Sequence, residues 1–102
     1  MNMTVGKYWV YIMGGAGTTT YVGFTNDVLR RVWEHRNKID KKGFTARYNL
    51  DQLLFCTEFG EAIEGIAFEK RLKGWSNAKK EALIAQMNPE RVDLADDWYG
   101  RS

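Results

Sequence analysis

The chain is poor in cysteine and proline, with one of each, Cys56 and Pro89, in 102 residues. A lone cysteine excludes an intrachain disulfide framework and a zinc site built on several thiolates. Cys56 lies in the apolar run Leu53-Leu54-Phe55-Cys56-Thr57, so it reads as a buried structural thiol and not as a nucleophile. Long apolar runs are also missing. No stretch approaches the length of a membrane span, and the N-terminus has only Lys7 as a charge and no apolar h-region, which is not the pattern of a signal peptide. The expectation is a cytoplasmic protein without a membrane partner. There is no internal repeat, linker or low-complexity tract, and the net charge of +2 says little about partners. The content of 44% hydrophobic and 14% aromatic residues is that of one globular domain, with a core over about residues 8–97.

Within that frame the residue patterns change period several times. Tyr8-Trp9-Val10-Tyr11-Ile12 and Thr19-Thr20-Tyr21-Val22 are aromatic and β-branched, and Gly14-Gly15-Ala16-Gly17 between them supplies turn residues, which predicts a β-hairpin. The glycine-rich loop lacks the Lys-Ser/Thr ending and the following helix of a phosphate-binding loop, so it reads as a turn. Whether Tyr11 and Tyr21 share a face depends on a register that the sequence leaves open. Thr25, Asn26 and Asp27 are helix N-cap candidates, and Val28, Val32, His35 and Ile39 then recur at helical spacing. Arg31 and His35 stand one helical turn apart. Residues 36–49 read as a loop, Leu53–Phe59 as a third strand and 61–75 as a helix. A shorter helix, capped by Ser76 or Asn77, stops before Pro89, and an acidic, loose tail begins at Val92. The predicted fold class is α+β, a three-stranded antiparallel sheet flanked by helices.

Glu69 is the residue that most needs explaining. Helical spacing puts it on one stripe with Ile66 and Leu72, both expected to be buried. A lone buried charge costs several kcal/mol, so the carboxylate must pair with a cation, hold a metal or face a cleft. Charge distribution adds a second signal. Arg30, Arg31, Arg36, Lys38, Lys41, Lys42 and Arg47 outweigh Glu34 and Asp40 in one segment. In another, Lys70, Arg71, Lys73, Lys79 and Lys80 stand without an acid. Interleaved with Phe44, Tyr48 and Trp75, these cations suit a phosphate backbone and unstacked bases, although a solvated basic surface over core aromatics has the same composition.

Tyr11, then Tyr21-Val22-Gly23, then Arg31 and His35, then Glu69, then Asn88-Pro89 form an ordered set that resembles the GIY-YIG nuclease family, in particular its small stand-alone bacterial members. The first motif survives in Trp9-Val10-Tyr11 only as its tyrosine, while Tyr21-Val22-Gly23 is a close match. Phe24 follows the second motif where several members place a lysine near the scissile phosphate, a contact that Lys70 or Lys73 could supply instead.

The resemblance implies a metal-dependent endonuclease acting on nucleic acid, DNA above all, in repair or in processing of branched or damaged DNA. It implies Glu69 as holder of one Mg²⁺ or Mn²⁺, Arg31 as the phosphate-binding charge, and Tyr11 and Tyr21 as residues that orient the attacking water. His35 would relay its proton, and Asn88 would help to hold Glu69 or the phosphate. Arg30, Arg36, Lys38, Lys41, Lys42, Arg47, Lys70 and Lys73 are the candidate nucleic-acid contacts. Two other readings use the same residues. One is a nucleic-acid binding module that has lost turnover; the other is a structural protein in which Glu69 pairs with Arg31 or Lys73. A small cleft needs help to grip a duplex, which allows a dimer or a partner protein.

Overall fold

Strand β1 (Tyr8–Gly14) is apolar at nearly every position from Val10 to Met13, and that composition places it in the middle of a sheet, covered on both faces. It pairs antiparallel with β2 (Thr20–Thr25) on one side and with β3 (Gln52–Phe59) on the other, giving the order β2-β1-β3. These elements come from a computed structural model that describes residues 7–100. The leader reading of the first six residues and the last two residues of the tail lie outside the described residues. No helix among the described residues is long and apolar enough to cross a membrane.

Alternation along the strands divides the interior in two. Val10, Ile12, Val22 and Leu54 meet Leu72 of α3 (Ala62–Lys73) and Ile84 of α4 (Asn77–Met87) on one face. On the other face Tyr11, Met13 and Leu53 meet Val28 and Val32 of α1 (Val28–Arg36), together with Leu50 and Ala95. The helix starts are chemically defined: the Asp27 side chain accepts from Arg30 N at 3.2 Å, and Ser76 Oγ accepts from Lys79 N at 3.2 Å. A Cβ at Gly65 would lie 2.7 Å from the Phe24 ring, so this mid-helix glycine lets α3 settle closely on the sheet.

That close seat changes the expected inner face of α3. Gly65, Phe68 and Leu72 face the sheet, whereas Ile66 is 38% exposed and is not the buried neighbour of Glu69 that its spacing suggested. The expected loop at 36–49 contains one short helical turn, α2 (Phe44–Arg47).

The expected loose tail is docked. Ala95 is fully buried, Leu94 N donates to Leu53 O at 2.8 Å, and the Asp93 carboxylate accepts from Arg36 and from Leu53 N and Ala95 N, both at 3.0 Å. Arg91 is a second long-range tie. Its guanidinium donates to Gly15 O at 2.9 Å and to Gly17 O at 3.2 Å while it pairs with Glu81, and so it fastens the hairpin turn to α4.

Candidate active site

The register resolves the question of the two tyrosines. Tyr11 lies opposite Gly23, and Tyr21 lies opposite Met13, two positions along the same pair of strands, so both rings stand on the α1 face with centroids 6.3 Å apart. Gly23 is what allows this. A Cβ there would come within 2.3 Å of the Tyr11 ring. Gly23→Ala is therefore expected to displace Tyr11, to cost about 1–3 kcal/mol by overpacking, and to reduce any activity of the site. Thermal unfolding checks the first effect and a cleavage assay the second.

Helix α1 delivers the other two groups. One turn apart on the same side, Arg31 and His35 reach the tyrosines: His35 Nε2 and the Tyr11 hydroxyl are hydrogen-bonded at 2.8 Å, and the His35 and Tyr21 ring centroids lie 5.3 Å apart. His35 Nδ1 is hydrogen-bonded to Thr45 Oγ1 at 2.9 Å, so both nitrogens of a nearly buried ring have partners. Arg31 donates to Glu34 Oε1 at 2.6 Å, and that carboxylate holds the guanidinium in place. Glu34 and Thr45 carry no motif signal, although Glu34 sits three residues after Arg31, a spacing at which ion pairs form on a helix.

Burial and neighbouring charge set the ionisation of these groups. Burial above all, with the Arg31 charge next, pushes His35 down from 6.5 to about 4, so the ring is neutral at physiological pH. The Tyr11 hydroxyl is pushed well above the usual phenol range by burial and by Tyr21, against the pull of Arg31. It keeps its proton at neutral pH.

His35 has a consequence for stability. Its folded pKa is below its unfolded one, so the unfolded chain binds the extra proton and stability is lost as pH falls from 6.5 toward about 4. That loss is worth about 3 kcal/mol in all. In His35→Gln, which hydrogen-bonds without titrating, the same acid interval should show a flatter fall in unfolding free energy by denaturant titration.

The groups open onto a cleft of about 260 Å³ lined by Tyr21, Arg31, Glu34, His35, Lys38 and Phe44 among others. Tyr11 is fully buried behind it. The remaining basic candidates are distributed unevenly. Lys38 lines the cleft, and Lys41, Lys42 and Arg47 are exposed on the adjoining segment. Arg30 is exposed beside Asp27 and Glu34. Arg36 is committed to Asp93 and to the Tyr99 ring. Lys70 is exposed on α3, and Lys73 pairs with Glu69 at 3.0 Å. Phe24, at the position of the family's lysine, stacks on Tyr8 at 5.8 Å.

Glu69 and Asn88 are not among the residues that line this cleft. Phe68 packs against Phe55 and Phe59 of β3, and Glu69 follows it on α3. Its side chain is 16% exposed. Among the described residues no group of three His, Cys, Asp or Glu side chains is placed to hold a metal. A single half-buried carboxylate still fits Mg²⁺, which is held by one or two carboxylates and keeps waters and substrate phosphates for its other positions. The Asn88 amide is engaged with backbone: it donates to Leu54 O at 3.1 Å and Val92 O at 2.8 Å and accepts from Val92 N at 3.1 Å. These bonds tie the end of α4 to β3 and to the tail.

Two tyrosines on paired strands thus face an arginine and a histidine one turn apart on the next helix. The family model for the GIY-YIG catalytic domain matches residues 7–82, and the chain belongs to the GIY-YIG family. Its curated relatives are UPF0213 proteins. That of Pectobacterium carotovorum is 27% identical over 91% of this chain and 92% of its own length. That of Halobacterium salinarum is 38% identical over 74% of this chain and 96% of its own, and that of Natronomonas pharaonis 33% over 76% and 91%. No solved structure matches the chain.

Proposed function

We propose that this chain is a single catalytic domain, a Mg²⁺-dependent endonuclease that hydrolyses phosphodiester bonds in DNA and serves repair or processing of branched DNA. The observation that carries the reading is the convergence of Tyr21, Arg31 and His35 on one cleft, with Tyr11 bonded behind them. Hydrolysis needs an oriented water that loses a proton, charge stabilisation at the phosphoryl oxygens and help for the departing 3′ oxygen. Arg31, permanently charged and forked, binds the phosphate oxygens as charge builds there. Tyr21, the tyrosine that lines the cleft, orients the water.

Tyr11 and His35 take the proton. With the Arg31 guanidinium against its oxygen, the Tyr11 hydroxyl directs its hydrogen to His35 Nε2, and the neutral imidazole carries its own on Nδ1 toward Thr45. A bound phosphate beside the ring favours the imidazolium that results. Glu69 is the residue that would hold the divalent metal, which supplies Lewis-acid stabilisation of the phosphate. Asn88 supports the fold in this reading and touches neither group.

Labelled duplex, single-stranded and branched DNA incubated with Mg²⁺ or with EDTA tests the proposal. Products that require the metal support it; salt-sensitive binding without products in any condition sinks it and leaves a nucleic-acid binding module of the same fold.

A further inference from the structure

The segment after the cleft carries two exposed aromatic rings that the hydrolytic chemistry does not use. Phe44 is 44% and Tyr48 50% exposed, and their centroids lie 4.7 Å apart. Residues four apart across one helical turn share a face, and that is how α2 presents them. Phe44 also continues inward to Tyr21, at 6.3 Å, so the rings form one run from the cleft to the surface.

The rings are mounted on the site. Thr45, next to Phe44, is buried and bonded to His35, and Leu50 N donates to Thr45 O at 2.8 Å. Their position is thereby tied to the cleft. Around them cations outnumber acids: Lys41 and Lys42 are exposed, Lys38 lines the cleft, and the Arg47 guanidinium lies 5.7 Å from the Tyr48 centroid, against Glu34, which is paired with Arg31, and Asp40, whose carboxylate accepts from Lys42 N. Trp75, the aromatic beside the second basic segment, is packed on the core and covered by Lys79 at 4.4 Å, so it offers no comparable face.

We propose that Phe44 and Tyr48 form a stacking shelf for unpaired nucleobases, and that the substrate is a strand with unpaired nucleotides beside the phosphate that is cut. This deepens the nuclease reading and rests on it. Bases inside a duplex already have both faces covered, so only an unpaired base has a π-face to offer, and stacking on an aromatic ring is tolerant of base identity. The flanking lysines and Arg47 follow the backbone of the same strand. The shelf selects by strand structure and not by sequence.

The test separates the shelf from the chemistry. Oligonucleotides carrying the fluorescent base 2-aminopurine in an unpaired stretch are bound to the protein in EDTA, where no cleavage occurs, and quenching is read. The expected results are quenching by the wild type, loss of most of it in F44L/Y48L, which keeps apolar bulk without a π-face, and its retention in F44Y/Y48F. Affinity for the unpaired strand should fall about tenfold or more in F44L/Y48L, and by much more than affinity for a fully paired duplex. Quenching that survives in F44L/Y48L, or an equal loss on both substrates, overturns the shelf. The single variants Phe44→Leu and Tyr48→Leu carry the same readout if the double variant does not fold. If wild type gives no products with any DNA and metal, the nuclease reading fails, while the quenching still decides whether the shelf exists.

Discussion

Replacing Arg31 by alanine is expected to lower the proposed single-turnover cleavage of DNA by roughly two to three orders of magnitude, the usual effect of deleting one preorganised donor at a transition-state oxyanion. The protein should stay folded, because Arg31 is only half-buried and its ion pair with Glu34 lies within a single helix. Arg31→Lys restores the charge but not the planar fork and should recover only part of the rate. Binding in EDTA weakens modestly, with the salt dependence of affinity reduced by about one phosphate contact. Cleavage by Arg31→Ala within tenfold of wild type would remove this residue from the chemistry and with it the reading of the cleft.

Glu69→Gln is the second large effect. Among the described residues the ion-pair partner of Glu69 is Lys73, whose side chain is 54% exposed. An i,i+4 pair of that kind is worth about 0.3–0.5 kcal/mol, too little to explain why the carboxylate is mostly buried. If it holds the metal, Glu69→Gln loses cleavage by about a hundredfold or more in Mg²⁺, on the scale of other single-residue losses at an electrostatic site. Its thermal midpoint and its DNA affinity in EDTA stay near those of wild type. A large drop in thermal stability together with retained cleavage would instead make Glu69 a structural residue, the partner of Lys73 and nothing more.

These expectations draw on both the chain pattern and the fold. The hairpin, the third strand and three of the four helices were legible, because alternation, helical spacing and the capping residues Asp27 and Ser76 are local features. What failed to show were matters of contact. Ile66 looked buried from its spacing, but a helix seated through Gly65 turns a different stripe inward. The tail looked loose because its acidity suggested solvent; Asp93 spends that charge on Arg36 and two backbone amides far away in sequence. Nothing in the sequence marked the Asn88 amide as bonded to the backbone of β3 and the tail.

The sequence by itself determined the class of fold, the order of the motif residues and the one-turn spacing of Arg31 and His35, because those depend on residues near one another along the chain. Only the tertiary structure decided which groups meet. The pairing of Tyr11 with Gly23 sets both tyrosines on one face, and packing of α1 on that face brings His35 to the Tyr11 hydroxyl. Thr45, ten residues further on, closes the other side of the imidazole. Strand register and helix docking are settled by burial summed over the whole core, and no window of sequence contains that sum.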